Sequence, residues 1–288
     1  MKISIERVFK SLAYRNFFKL LPAKFFVKMM YKVCFNKKLD FNNPKTFNEK
    51  LQVMKFQNRK FSDYCDKIKV REIVKEKIGE EYLIPLLGVW DNPSDINFDD
   101  LPEKFALKCN HDSGSVVVCN NKKTFDQKGA VKKLKKYLKK NYYYVGRDSC
   151  YLDIKPKVLC EKHLHESRED KIVDYKFFCF NGRFEFLEVI IDRVGKPKAN
   201  FYDRTFKKIP LVRSHPNFTE SIKKPDNFNE MVKVVEELSK GFPHVRIDLY
   251  SVNNSIYFGE YTFTTGDGFG LFHPEKYDYE YGKLIRLR

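Results

Sequence analysis

Residues 241–270 read GFPHVRIDLYSVNNSIYFGEYTFTTGDGFG. Val245 to Val252 is rich in β-branched and aromatic side chains, Asn253-Asn254 is a tight-turn pair, and Ser255 to Phe263 runs back as a second strand. Alternation puts Arg246, Asp248 and Tyr250 on one face of the first strand and Ile247 and Leu249 on the other. Counting by twos along the return strand, Glu260 shares a face with Phe258 and Thr262, and Tyr257 takes the opposite face. A half-buried hairpin with polar residues in solvent reads the same way. What sets this one apart is Arg-x-Asp on one strand, Glu on its partner, and then Gly266, Gly268 and Gly270, which let backbone approach a ligand. Two hard carboxylates with room for water and phosphate oxygens are what Mg²⁺ takes.

The 288 residues, 42% hydrophobic and 16% aromatic, can bury a full core in one large domain or two closely joined ones. No apolar run is long enough to span a bilayer, and no apolar signal segment follows Met1-Lys2. The seven cysteines (34, 65, 109, 119, 150, 160, 179) are odd in number and include no Cys-x-x-Cys. That argues against a disulfide framework and a zinc site, and for a reducing cytoplasm. The formal charge of +17 predicts attraction to polyanions: nucleic acid, an anionic membrane surface, an acidic glycan or nucleotide phosphates. The Lys-rich drift of an AT-rich genome would give the same charge without a partner.

From the start of the chain, Phe9, Leu12, Ala13, Phe17, Leu20 and Leu21 recur at helical spacing, as do Phe25, Phe26, Met29, Met30 and Val33 after Pro22. Lysines and arginines fill the gaps. The pattern suits an amphipathic helix pair packed on the core, or a basic surface lying on an anionic membrane. Thr46 and Glu49 form a capping box, Asp66 to Ile78 reads as a helix, and Tyr82 to Trp90 reads as a buried strand. Phe105 to Asn110, the polar loop His111-Asp112-Ser113-Gly114-Ser115, and Val116 to Cys119 read as strand, loop, strand. Such a loop can fold over a triphosphate, with Lys108 as the fixed cation and Ser113, Gly114 and Ser115 on the phosphate oxygens. Lys122 to Lys140 is a basic helix, either a solvated face or a contact for acidic glycan or membrane. Pro156 to Leu164 reads as a strand, and His163 with His165 lacks a third ligand at metal spacing. Asp174 to Gly182 ends in an Asn-Gly turn and Phe184 to Ile191 is its hairpin partner, with Asp174 and Lys176 on one face. Arg193 and the strand 200–203 extend that sheet, and Asn227 to Lys240 is an amphipathic helix stopped by Gly241.

The carboxylate hairpin resembles the end of the nucleotide site in ATP-grasp enzymes. VRIDLYSVNNSIYFGEYTFTTGDGF, with NPKTFNEKLQ, KCNHDSGS and NYYYVGR, is similar more narrowly to the teichuronopeptide-biosynthesis (TupA-type) branch. The resemblance covers roughly residues 41–287. It implies an α+β fold: two subdomains with antiparallel sheets gripping the nucleotide, and a helical N-terminal extension. Residues 1–80 would form the basic, mainly helical region and 81–288 the ATP-grasp domain, with the lid at about 104–160 and the C-terminal subdomain at about 161–288. ATP and Mg²⁺ are the implied cofactors. Asp248 and Glu260 would hold the metal, with Thr262 standing where many members carry a ligating Asn. Glu161 would open the adenine hinge, and the backbone of Lys162, His163 and Leu164 would meet the adenine edge. Asp174 would bind ribose and Lys176 phosphate, while Arg246 would contact the acyl phosphate. His111 would meet phosphate, carry a proton or shape its loop. Arg147 would pair with a carboxylate or phosphate of the acceptor.

The activity implied is a cytoplasmic ligase, possible at the inner membrane face, that joins a small amine or amino acid to a uronic acid of a surface polysaccharide. A phosphotransferase would use the same nucleotide site with a hydroxyl acceptor. A glycosyltransferase fits the same pathways, but the chain lacks Asp-x-Asp. Nucleic-acid binding would explain the charge and leave the carboxylate hairpin without a role.

Overall fold

A computed structural model describes residues 5–164, 173–191 and 195–287; His165 and Arg193 lie outside the described residues. Among the described residues ten strands form two antiparallel sheets. β1 (Leu86–Trp90), β2 (Phe105–Cys109), β3 (Val117–Cys119) and β4 (Val158–Lys162) make a four-stranded sheet in the order β1-β4-β2-β3. β5 (Asp174–Phe180), β6 (Arg183–Ile191), β7 (Lys198–Asp203), β8 (Lys208–Ile209), β9 (His244–Val252) and β10 (Ser255–Thr262) make a six-stranded sheet in the order β10-β9-β5-β6-β7-β8. The helices are α1 (Ile5–Tyr14), α2 (Ala23–Phe35), α3 (Phe47–Met54), α4 (Ser62–Cys65), α5 (Val70–Ile78), α6 (Gln127–Leu138), α7 (Tyr143–Gly146), α8 (Phe228–Ser239) and α9 (Lys276–Leu284). The fold is the α+β arrangement of two antiparallel sheets with helices at the N-terminus. Among the described residues no helix is long and apolar enough to cross a membrane.

Each sheet has one face devoted to core. On the large sheet Phe177, Leu187, Ile247 and Leu249 pack under α8 with Met231, Val235 and Leu238, joined by Val70 and Val74 of α5. The opposite face is divided. Its one half is aromatic: Phe178, Phe180, Phe186 and Phe201 are roofed by Phe47 and Leu51 of α3 and Tyr277 of α9. Its other half is charged, because the same alternation that exposes Phe178 and Phe180 to α3 continues into Lys176 and Asp174. On the small sheet Phe105, Leu107 and Cys109 pack on Leu134 of α6, which leaves Lys108 on the face away from that helix.

Local signals account for most element ends. Thr46 accepts from the Glu49 N–H and Glu49 accepts from the Thr46 N–H, so the capping box closes the start of α3. Asn253 and Asn254 both adopt positive φ, 51° and 62°, the conformation a two-residue hairpin turn requires. Three expectations change. The helical spacing from Phe9 to Leu21 outruns its helix: α1 stops at Tyr14, and residues 15–22 form a turn into α2. The strand expected from Tyr82 starts only at Leu86 and is an edge strand, with Leu86 39% and Leu87 36% exposed. The helix expected from Asp66 begins at Val70, with Asp66 accepting from the Ile68 N–H just ahead of it. All seven cysteines are buried thiols.

Candidate active site

The hairpin of β9 and β10 contains a bulge that alternation alone does not foresee. Phe258 pairs with Leu249 and Glu260 with Asp248, so Gly259 is an extra residue. Phe258 therefore stays in the core, while Glu260 and Thr262 move to the face of Asp248 and Arg246. The expected sharing of a face by Glu260 and Phe258 is corrected, and Tyr257, opposite Tyr250, lies on the Glu260 side. Gly is suited to the position: a Cβ there would lie 3.0 Å from the Asp248 carbonyl oxygen.

Across the sheet the row reads Glu260, Asp248, Lys176, Glu188, each in register with the next. Arg246 donates through Nε to Asp248 at 2.6 Å, and through Nη2 to both Asp248 at 2.8 Å and Glu260 at 2.9 Å. Lys176 donates to Asp248 on its other side and lies 3.5 Å from Asp174. The Thr262 hydroxyl is 3.4 Å from Glu260. Burial works against the Arg246 charge, but Asp248 and Glu260 outweigh it and hold the guanidinium above its ordinary value. Asp174, Lys176, Glu188, Arg246 and Asp248 are all buried, and Glu260 is the carboxylate open to solvent.

A second cluster lies on the face of the small sheet away from α6. Lys108 on β2 reaches Glu161 on β4 at 2.6 Å, and Arg71 of α5 approaches the other oxygen of Glu161 at 3.4 Å while donating to the Ile84 carbonyl. The side chain of Glu161 is thus held between two cations. The Lys162 N–H donates to the Pro85 carbonyl, which takes that group out of the adenine hinge and leaves the hinge reading on His163 and Leu164.

Several expected roles are redistributed. His111 is buried, with Nδ1 3.3 Å from the Asn110 side-chain oxygen and Nε2 2.9 Å from the Lys140 carbonyl. Burial also lowers its pKa. Both ring nitrogens are engaged within the loop's own surroundings, which matches the loop-shaping role among those expected of it. Ser115 turns inward, donating to Asp112 and accepting from the Cys109 N–H, whereas Ser113 and Gly114 stay exposed at the loop tip. Arg147 is 1% exposed and donates to the carbonyls of Phe18, Lys19 and Leu21. It fastens the N-terminal turn and does not face an acceptor. Gly268 and Gly270 make room for protein: Gln52 donates to the Gly268 carbonyl, and a Cβ on Gly270 would meet the Arg213 guanidinium at 2.8 Å.

Three residues of these clusters escaped the sequence reading. Glu188 sits in the mostly apolar stretch FEFLEVII of a central strand, three residues after Glu185, so odd spacing of two carboxylates, which puts them on opposite faces, was the available signal. Arg71 had none beyond its helix. Arg213 comes from a loop, donates to the Thr265 carbonyl and packs over Phe272 at 4.9 Å. Burial pushes its guanidinium down to about 10, with Glu188 opposing the fall and Arg246 adding to it.

The donor set suits a hard divalent cation. Among the described residues no three His, Cys, Asp or Glu side chains gather to hold a metal. Asp248 and Glu260 nevertheless share Arg246, and Asp174 and Asp248 share Lys176, so each of these cations stands between two carboxylates. Mg²⁺ binds through one or two carboxylates, completing its shell with water and phosphate oxygens; Asp248 and Glu260 fit that demand.

The profile of the TupA-like ATPgrasp family matches residues 49–286. No curated protein matches the chain. Among solved structures the chain is similar to an L-amino acid ligase from Bacillus licheniformis, with 13% identity, a TM-score of 0.45 and coverage of 77% of this chain and 49% of that one. It is similar to a D-alanine–D-alanine ligase from Helicobacter pylori, with 16% identity, a TM-score of 0.44 and coverage of 82% and 62%. For a D-alanine–D-alanine ligase from Bacillus anthracis complexed with ATP the values are 13%, 0.41, 91% and 82%. The chain spans about half the length of the first of these and about three-fifths of the second. With that family profile matched over most of its length, the chain belongs to the TupA-like ATPgrasp family.

Proposed function

We propose that the chain is an ATP-dependent carboxylate–amine ligase that forms an amide on a uronic acid of a surface polysaccharide of the capsule, O-antigen or teichuronopeptide type. The observation that carries this reading is Arg246, which bridges Asp248 and Glu260 while Lys176 stands on the far side of Asp248. Cations and carboxylates are thus interleaved where a transferring phosphoryl group needs both a charge clamp and hard metal ligands.

In the reaction, a substrate carboxylate oxygen bonds to the γ-phosphorus of ATP as the bond to the β-phosphate oxygen breaks, giving an acyl phosphate and ADP. An amine nitrogen then bonds to the acyl carbon, the carbon–oxygen bond to phosphate breaks, and the amine gives up a proton. Lys108 and Lys176 are assigned to ATP phosphates, with Ser113 and Gly114 at the lid tip. Arg246 is assigned to the acyl phosphate and to the oxyanion that develops when the amine adds. Asp248 and Glu260 would hold Mg²⁺, which neutralises charge on the β- and γ-phosphates when bound. The protein's work is positioning and charge stabilisation.

An acidic acceptor suits the chain's charge of +17. It also suits an open groove of about 700 Å³ along α6, lined by Lys128, Lys132, Lys135, Lys136 and Lys139 over Phe98. A cytoplasmic site of action goes with this reading, since ATP is the co-substrate.

Calorimetric titration of Mg·ADP and Mg·ATP into the wild type and into Asp248→Asn tests the nucleotide site. Binding that weakens in the variant is expected; a folded wild type that binds neither nucleotide would overturn the reading. Uronic acids with amines are then screened for ADP release, with hydroxylamine added to trap the acyl phosphate. A phosphorylated sugar with no hydroxamate would replace the ligase by a phosphotransferase.

A further inference from the structure

The turn between α1 and α2 carries an apolar surface that no other part of the described chain covers. Phe17 is 71% exposed, Leu20 95% and Phe25 58%, and Ile5 and Val8 extend the surface along α1 at 71% and 42%. Isolated exposed leucines are ordinary on protein surfaces, but three large apolar side chains exposed within nine positions of the turn and the first turn of α2 are not. The projection is built. Arg147 ties down the carbonyls of Phe18, Lys19 and Leu21 from below, and the Phe18 ring packs on Phe9 at 5.7 Å and Phe26 at 5.8 Å. Phe18 thus points inward while Phe17 and Leu20 on either side point out.

The charge around this tip has one sign. Arg15, Lys19, Lys24 and Lys28 are exposed among the apolar side chains. The only acidic residue in positions 1–35 is Glu6, and it is tied to Lys10 at 2.6 Å. A protein partner of ordinary composition would not call for cations at every gap; an anionic bilayer does, because apolar side chains enter the boundary of its acyl region while flexible lysines reach lipid phosphates around them.

We propose that the α1–α2 turn is a docking tip for an anionic lipid bilayer, with Phe17, Leu20 and Phe25 inserting and Arg15, Lys19, Lys24 and Lys28 pairing with headgroups. The docked element touches the nucleotide lid. The Tyr14 hydroxyl at the end of α1 donates to the Ser113 carbonyl at 3.1 Å and lies 3.2 Å from the Tyr137 hydroxyl, and the Lys140 ammonium sits 4.4 Å from the Tyr14 ring centre. Docking would therefore bring the lid loop close to the membrane surface. The inference goes beyond the ligase reading and does not rest on it, since its test involves no turnover.

The full chain is sedimented with vesicles of phosphatidylcholine alone and of phosphatidylcholine with phosphatidylglycerol, at low and high salt. Binding to the anionic vesicles is expected to exceed binding to the neutral ones by at least about tenfold. Phe17→Ser/Leu20→Ser/Phe25→Ser should lower it by a similar factor with an unchanged unfolding midpoint, because the replaced side chains face water. Undiminished binding by this variant would mean adsorption of a polycation and overturn the proposal. So would a wild type that ignores vesicles but forms dimers that the variant does not. Should the triple variant fail to fold, Leu20→Trp supplies the decision: its emission should shift to the blue with anionic vesicles, and no shift overturns the tip.

Discussion

Asp248 and Glu260 stand opposite one another across β9 and β10 because Gly259 is an extra residue between Phe258 and Glu260. In an unbroken strand Glu260 would fall opposite Ile247 and face the core with Phe258. The bulge keeps Phe258 buried and turns Glu260 toward Asp248, which is how such insertions re-aim side chains beside active sites. A side chain at Gly259 would press on the Asp248 carbonyl at 3.0 Å and the Tyr250 ring at 3.1 Å. Gly259→Val is therefore expected to displace Asp248, weaken Mg·ADP binding at least about tenfold and cost about 1–2 kcal/mol of stability. Calorimetry beside urea unfolding checks both. Wild-type nucleotide affinity in a destabilised variant would separate the bulge from the site.

Glu161 lies between Lys108 and Arg71, at 2.6 and 3.4 Å. If Lys108 turns to a nucleotide phosphate, Arg71 remains to pair the buried carboxylate that Lys108 leaves. Removing Arg71 makes that turn more costly, because an unpaired buried charge is expensive. Lys108→Ala is expected to weaken Mg·ADP binding by about tenfold or more, and Arg71→Met by roughly threefold to tenfold. In the Lys108→Ala background Arg71→Met should change nothing, since the contact it supports is gone. Additive effects in this double-mutant cycle would show that Arg71 acts on the nucleotide independently.

What the sequence displays and what it conceals divide along physical lines. Alternation and turn chemistry made the two hairpins, the row Asp174–Lys176 and the Arg246–Asp248 face legible, because each depends on neighbours a few residues apart. The capping box at Thr46 is equally local. The bulge was not legible, since one extra residue leaves the composition of a strand unchanged and only the glycine hints at it. Arg213 and Arg71 were missed because loop and helix side chains reach a site by tertiary packing, which has no period. Arg147 was misread for a related reason. Its partners are the backbone carbonyls of Phe18, Lys19 and Leu21, and carbonyls have no sequence signature. An arginine next to three tyrosines reads as a ligand contact until the chain folds over it.

The same bonds make Arg147 the fastener of the N-terminal helices. Charged hydrogen bonds of this kind are worth about 1.5–3 kcal/mol each, and the guanidinium also packs on Phe26, Tyr143 and Tyr144. Arg147→Met keeps the volume and loses the bonds. Amides of α1 and of the following turn should exchange with solvent at least about tenfold faster, while those of β5 and β9 keep their protection, because stability is not uniform across a fold. Equal acceleration everywhere would make Arg147 a support of the whole molecule.

Burial of His244 makes the fold sensitive to acid. Its ring lies 4.9 Å from that of Phe47 and 4.6 Å from that of Phe180, and Nδ1 donates to the Cys179 carbonyl at 2.9 Å. That bond fixes the proton of the neutral ring on Nδ1, and Nε2 has no hydrogen-bond partner among the described residues. Burial pushes the pKa down to about 3; the Cys179 bond opposes the fall, and Arg213 and Arg246 deepen it. An unfolded histidine titrates near 6.5, so between those values the unfolded chain binds more protons than the folded one. Stability from this residue is full above about pH 6.5 and is lost as the pH falls toward 3, at roughly 1.4 kcal/mol per pH unit within the window. His244→Gln keeps a donor for the carbonyl and cannot titrate there. Urea unfolding from pH 7 to 4.5 should show the wild type level with its pH 7 value down to about pH 6.5 and then losing stability relative to the variant. A difference that does not change with pH would mean that His244 takes up its second proton as readily in the folded protein as in the unfolded chain.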